Sequence, residues 1–290
     1  MRLAMWLTPV LMAGCPAPAP DGGTADMAAM TADLSKPVDF GPCGNPSKAK
    51  PGEECLIDIT GKIIDEQGQG IGKQFLSACA GICIAGNAKD DGTFALTPNL
   101  YVKAKDFALL VHGCPELGSY AVRLPPLANG HIAFPQPLLV RKMPTGGPTL
   151  ALDDSAQTQQ SGDVTLTLEA GTQVVLNECD DPHFQVLTVA DPKTLPFIDP
   201  AAVPDLLYGF SPYEVHFTKK LAQLSFKNTP KWPKGTTLDV LSLQGLLEAI
   251  PAGGFEKVAT AHISDDEKSI VLDQGQGISY LTWIALKKTN

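Results

Sequence analysis

"CLIDITGKIIDEQGQGIG", residues 55–72, carries the first regular pattern in the chain, and its period is two. Cys55, Ile57, Ile59, Gly61 and Ile63 alternate with Leu56, Asp58, Thr60, Lys62 and Ile64. That is the pattern of a pleated strand with two mostly distinct faces. "DEQGQG" then ends the run with residues that turn the chain.

The same rhythm continues outward. An apolar stretch spans 75–84, and "KDDGTF" holds Asp91-Gly92, a tight-hairpin signal because both positions tolerate positive φ. Short strand candidates follow at 94–96, 107–111, 120–124 and 132–140. "MPTGGPT", residues 143–149, reads as a domain boundary. Beyond it, Val164, Leu166 and Leu168 share one face, and further strands are expected at 184–189, 215–217, 221–226, 237–243, 255–263, 269–272 and 280–286. Prolines crowd residues 192–212, an irregular crossing with room for one helical turn at 205–208. Short strands with turn residues every ten or so positions predict an all-β protein of two β-sandwich domains, 53–142 and 150–290.

Composition agrees with folded globular material: 44% hydrophobic and 18% charged over 290 residues. The chain carries 31 Asp and Glu against 22 Lys and Arg, a net charge of −9 with no basic run. Such a surface repels polyphosphate, so nucleic acid is excluded as a partner.

The N-terminus tells of a membrane. Arg2 is followed by a mostly apolar stretch over 3–13, too short to span a bilayer, which needs roughly 20 residues. A charged start and a short apolar middle make a secretory signal. Its end, Ala13, Gly14, Cys15, resembles the lipobox of bacterial lipoproteins. The resemblance implies cleavage between Gly14 and Cys15, with acyl chains on Cys15 anchoring the protein to a lipid bilayer. Several chains hold a protein stably where one holds it marginally. Met12 departs from the usual Leu, and Pro16 lacks the Asp that in this family signals inner-membrane retention, so the outer membrane is the expected location. Residues 15–52, rich in Pro, Ala, Gly and Asp, read as a disordered tether with a reach on the order of 100 Å.

Seven cysteines are present. If Cys15 carries lipid, six remain: Cys43, Cys55, Cys79, Cys83, Cys114 and Cys179. Outside the cytosol these are disulfide candidates, with about 15 possible pairings. On one extended strand Cys79 and Cys83 would lie about 13 Å apart, so each is expected to bridge to a different strand. A zinc site from Cys79, Cys83, His112 and Cys114 is the alternative.

Two family resemblances bear on the fold. Gly61, Asp65, Gly68 and Gly70 after the first strand, then Asp91, Gly92 and Phe94, resemble the opening of a carboxypeptidase regulatory-like domain. That implies a transthyretin-like seven-stranded sandwich without catalytic residues of its own; two cysteines in "SACAGIC" depart from the pattern. "GFSPYEVHFTKKLAQLSF", "PKGTTLDVLSL", "ATAHISDDEKSIV" and "ISYLTWIAL" resemble modules of the ZU5 type, with Lys219-Lys220 where Pro is usual. Phe217, Leu224, Phe226 and Trp283 would then be core residues, in a module serving interaction or architecture.

Chemistry is harder to find. "ECDDPH", residues 178–183, reads as a solvated acidic turn in preference to a calcium loop. His112, His131, His183, His216 and His262 are scattered, and no GxSxG, HExxH, P-loop or GxGxxG motif is present. Trp232 in "PKWPKG" is a candidate sugar contact, set against the commoner case of an indole folded over the sheet edge. The expectation is a non-catalytic envelope lipoprotein, without cofactor or metal, serving structure, adhesion or protein interaction. Envelope proteins or polysaccharide are its expected partners. A carbohydrate-binding module is the first alternative and a hydrolase assembled from scattered residues the second.

Overall fold

The computed structural model describes residues 41–245 and 252–289. Gly14 and Cys15, and with them the signal and the lipid attachment, lie outside the described residues.

The first half contains β1 (Glu54–Leu56), β2 (Asp58–Ile64), β3 (Phe75–Cys79), β4 (Cys83–Asn87), β5 (Thr93–Leu96), β6 (Leu100–Val102), β7 (Ala108–Val111), β8 (Tyr120–Arg123), β9 (His131–Ala133) and β10 (Leu138–Leu139). The second contains β11 (Gln157–Ser161), β12 (Val164–Leu168), β13 (Gln173–Val175), β14 (Gln185–Thr188), β15 (Leu206–Ser211), β16 (Val215–Thr218), β17 (Gln223–Lys227), β18 (Thr237–Leu243), β19 (Phe255–Ile263), β20 (Ser269–Leu272), β21 (Tyr280–Leu281) and β22 (Ile284–Lys288). Three short 3-10 turns are the helical elements among the described residues, and none is long and apolar enough to cross a membrane. The protein is all-β.

In the first half β2 is the organising strand. It pairs antiparallel with β5 and parallel with β9 and β10. The antiparallel sheet β4-β3-β7-β8 forms the second layer, and β1 pairs with β6. Ile59, Ile63, Leu76, Phe94, Leu109 and Val111 belong to one buried cluster. The chain breaks pairing at Ile57, between β1 and β2, so the inward face changes parity: Leu56 points in, then Ile59 and Ile63. The run over 55–64 is therefore two strands, not one.

The second half differs from the expected sandwich. Nine antiparallel strands form one sheet in the order β11-β12-β17-β20-β19-β18-β22-β15-β14. It curls until its edges nearly meet, and the Val186 N–H of β14 donates to Ser161 Oγ of β11 across the seam at 3.1 Å. A register shift between Val240 and Leu241 in β18 adds the local twist that curling needs. Inward residues such as Val164, Leu166, Phe226, Leu238 and Ile270 fill the interior. β13, β16 and β21 make a separate three-stranded sheet.

Three local expectations change. Residues 205–208 enter strand β15, not a helical turn, because Leu207 and Tyr208 are claimed by the barrel and the interface. Asp91-Gly92 does not close a hairpin: it carries the chain from β4 to β5, which lie in different sheets. Gly92 has φ +82°, and a Cβ there would fall 2.3 Å from Ile63 O. Residues 41–52 of the expected tether run through turns and are tied to β1 by the Cys43–Cys55 disulfide.

The apolar core continues across residues 143–149. Phe197, Leu207, Leu243, Trp283 and Ala285 from the second half share a cluster with Leu109, Tyr120 and Val122 from the first. Phe40–Asn290 is one compact unit. Trp283 is the joining residue: it is 1% exposed, and its indole N–H donates to Ser119 O at 2.7 Å. The Cys114–Cys179 disulfide ties the same region covalently.

Candidate functional site

The six cysteines form Cys43–Cys55, Cys79–Cys83 and Cys114–Cys179. Cys79 and Cys83 bond to each other, against expectation, because the chain reverses between β3 and β4 and brings them face to face in register. The four proposed zinc ligands are thus divided between two disulfides and a histidine engaged elsewhere.

Trp232 is half-buried and packs on the barrel cluster, with Lys288 Nζ 5.3 Å from its ring centroid. The indole is thus folded onto the barrel cluster with a lysine beside its ring, and the residue stays partly exposed. His131 pairs with Asp58, His262 with Asp273 and His183 with Asp181, all near the surface. Asp273 is held below the usual carboxylate range, chiefly by the Thr260 hydroxyl and then by His262.

Glu178 departs from the solvated-turn reading. Glu178 has a side chain only 6% exposed, and His112 Nδ1 lies 3.3 Å from its Oε1. His112 Nε2 in turn lies 2.7 Å from Ser77 Oγ. These distances match a nucleophile, base and orienting acid. The surroundings do not match. Ser77 is a mid-strand residue of β3 between β4 and β7 and is 6% exposed, whereas a nucleophilic serine sits on a sharp, accessible turn. The Gly113 and Cys114 N–H groups beside His112 donate to Ser119 Oγ at 2.8 and 3.1 Å, and that hydroxyl donates to Glu178 Oε1 at 2.7 Å. The network is closed on itself and braces the Cys114–Cys179 join.

An open concavity lies elsewhere, where the two halves meet. A cleft of about 460 Å³ is walled by β8, β18, β22, the 196–204 crossing and Gly253-Gly254. Its volume falls within the usual small-ligand range of roughly 300–1,000 Å³. Val122, Phe197, Leu241 and Ala285 give it an apolar floor, and Arg123, Asp199 and Lys287 supply charge. Phe197 is fixed from three sides, its centroid 5.1 Å from Tyr120, 5.1 Å from Trp283 and 6.2 Å from Phe255.

The double glycine makes the wall possible. A Cβ at Gly253 would stand 2.8–2.9 Å from the backbone of Val122 and Arg123, and one at Gly254 would stand 2.2 Å from an Arg123 guanidinium nitrogen. Gln244 holds this segment reciprocally: its C=O accepts from Gly253 N and its N–H donates to Gly254 O, both at 2.8 Å. A second concavity of about 540 Å³ lies at the barrel seam, lined mostly by residues with polar side chains and by a single ring, that of Phe226. Two of its lysines face acids of their own, Lys227 with Asp163 and Lys268 with Asp266. The cleft at the join has the apolar floor and fixed ring that a ligand site needs.

Arg123, Phe197, Lys287, Gly253 and Gly254 were not expected from sequence. Only the adjacent glycines left a signal, since such a pair inside a strand-rich region marks close backbone approach.

No protein-family model matches the chain, and no curated protein matches it. A crystal structure of a candidate carbohydrate-binding protein from Bacteroides uniformis is similar over 80% of this chain and 98% of that one, at 11% identity and a TM-score of 0.22.

Proposed function

We propose that this protein is a non-catalytic recognition protein of the bacterial envelope, tethered through acylated Cys15, that holds an envelope component in the cleft between its halves. The observation that carries the reading is the cleft itself: an apolar, aromatic-backed cavity with a few charged groups, placed where two packed bodies meet. The cysteine pairing supports the setting. Three disulfides use all six downstream cysteines and leave Cys15 outside them, as lipidation requires, and disulfides of this number belong to an oxidising compartment. Envelope proteins and polysaccharide are the partner classes.

The test plugs the cleft. Full-length chain carrying Cys15→Ser is incubated with isolated cell-wall polysaccharide and with outer-membrane fractions, alone and with Gly254→Trp or the milder Gly254→Leu. Retention should fall at least tenfold in both plugged variants, with unfolding temperature checked in parallel. Retention equal to the unplugged chain in a folded variant refutes the reading.

A further inference from the structure

We infer that the cleft takes an amphiphilic carboxylate: an apolar body of modest size ending in one negative charge. The inference rests on the cleft being the binding site and goes on to its chemistry. The floor selects the apolar body. Leu241 and the slightly exposed Val122 and Phe197 present hydrocarbon and an aromatic ring over the buried Ala285, and the 460 Å³ volume suits a ligand of small-molecule size.

The charge comes from Arg123 and Lys287. The protein has a net charge of −9, and several of its basic side chains face an acid: Arg141 with Glu66, Lys220 with Glu169, Lys234 with Asp265, Lys257 with Asp239. Among the described residues, Arg123 and Lys287 form no such pair. Lys287 sits across the ladder from Asp239, but that carboxylate is held by Lys257 at 2.5 Å. Two uncommitted cations thus line one hydrocarbon-floored cavity of an acidic protein. A guanidinium presents a planar fork that matches a carboxylate with two parallel hydrogen bonds, and an ammonium adds a point charge. Asp199 lies in the same lining, where its Oδ1 accepts from Ala201 N at 2.8 Å. Its charge opposes a polyanion and so favours a ligand with a single negative group.

Octanoate, octanol and octyltrimethylammonium, each below its aggregation concentration, separate charge from hydrocarbon. They are titrated into the full-length Cys15→Ser chain by calorimetry. Octanoate should bind at least tenfold more tightly than octanol, a difference of about 1.4 kcal/mol, and octyltrimethylammonium most weakly. Arg123→Gln with Lys287→Gln should bring octanoate to the octanol affinity and leave octanol unchanged; both are surface changes that leave the core intact. Equal binding of the three probes, absence of octanoate binding, or an anion preference that survives the double substitution overturns the inference. No anion preference in the unsubstituted chain, alongside a Gly254→Trp effect on envelope retention, condemns the ligand class alone. A Gly254→Trp variant that changes neither condemns the cleft.

Discussion

Gly209→Ala tests whether the halves share one core. Gly209 lies in β15 against the Trp283 ring, and a Cβ there would stand 2.8–2.9 Å from three ring atoms. In an ordinary strand interior the change from glycine to alanine stabilises by about 0.5–1 kcal/mol. Here the ring has nowhere to go. Phe197 packs 5.1 Å away, Gly118 lies so near that a Cβ on it would stand 3.1 Å from Cζ2, and the indole N–H is committed to Ser119 O at 2.7 Å. Forcing a methyl into such packing costs about 1–3 kcal/mol, and tilting the ring adds about 1 kcal/mol for the hydrogen bond. The balance is a destabilisation of about 1–3 kcal/mol. For a folded body of this size that lowers the midpoint by roughly 3–10 °C. Thermal unfolding by far-UV dichroism reads the size of the effect, and amide exchange in β7–β8 and β19–β20 reads where it is felt. Both regions should lose protection together, because Trp283 links them. Trp283→Phe in the same chain should relieve part of the clash, so the two changes combine less than additively. Stability equal to or above the parent, or protection lost only in the barrel, would refute the shared core.

Three further outcomes are expected. Removing disulfides singly should cost stability in the order Cys114–Cys179, Cys43–Cys55, Cys79–Cys83, since they close sequence separations of 65, 12 and 4; loop entropy puts the costs at about 4, 3 and 2 kcal/mol, and urea midpoints in another order contradict it. Tyr120 is buried with its hydroxyl unpartnered among the described residues, and burial pushes the phenol far above its ordinary value. Above pH about 10 the unfolded tyrosine ionises while the folded one stays neutral, so stability falls as pH rises from there; Tyr120→Phe should remove that component and add about 1 kcal/mol at neutral pH, and parallel alkaline curves for the two proteins would count against it. Ser77 should resist a fluorophosphonate probe, and Ser77→Ala should cost about 1 kcal/mol by leaving His112 Nε2 without its hydroxyl partner; covalent labelling at Ser77 would reverse the non-catalytic reading.

Much of the fold was legible because its strands have one wet and one dry face. Val164, Leu166 and Leu168 alternate in the sequence and point inward together in β12. The failures have physical causes. β11, "QTQQS", is an edge strand with no buried residue, so it carries no hydrophobic period to read. "CAGIC" reverses direction within a run that stays apolar, and periodicity cannot distinguish a reversal from an extension. Asp91-Gly92 has hairpin chemistry but serves a crossing between sheets, a choice made by Gly70 and Ile63 packing against its backbone. The candidate site was less legible still. Arg123 ends a strand, Phe197 lies in a proline-rich crossing and Lys287 sits near the C-terminus; only tertiary packing brings them together.

That packing also bears on how the cleft would work. Its walls come from both halves, yet the halves are joined by a disulfide, by the Trp283–Ser119 bond and by the Ser119–Glu178–His112 network close to the join. Phe197 cannot swing without disturbing Tyr120 and Trp283, both buried. A site held this way loses little conformational entropy on binding, so a modest apolar area with one charge-assisted contact can still give useful affinity. On the proposed non-catalytic reading the triad-like distances around His112 serve structure: a buried carboxylate, an imidazole and two hydroxyls lock the loop 112–119 to residue 178, and the loop positions β8 as the wall of the cleft. Loosening this network by Glu178→Gln should weaken octanoate binding several-fold through β8 while leaving the lining residues themselves unchanged. If binding is unaffected while stability falls, the network serves the fold alone and the cleft owes its shape to the glycine pair and Trp283.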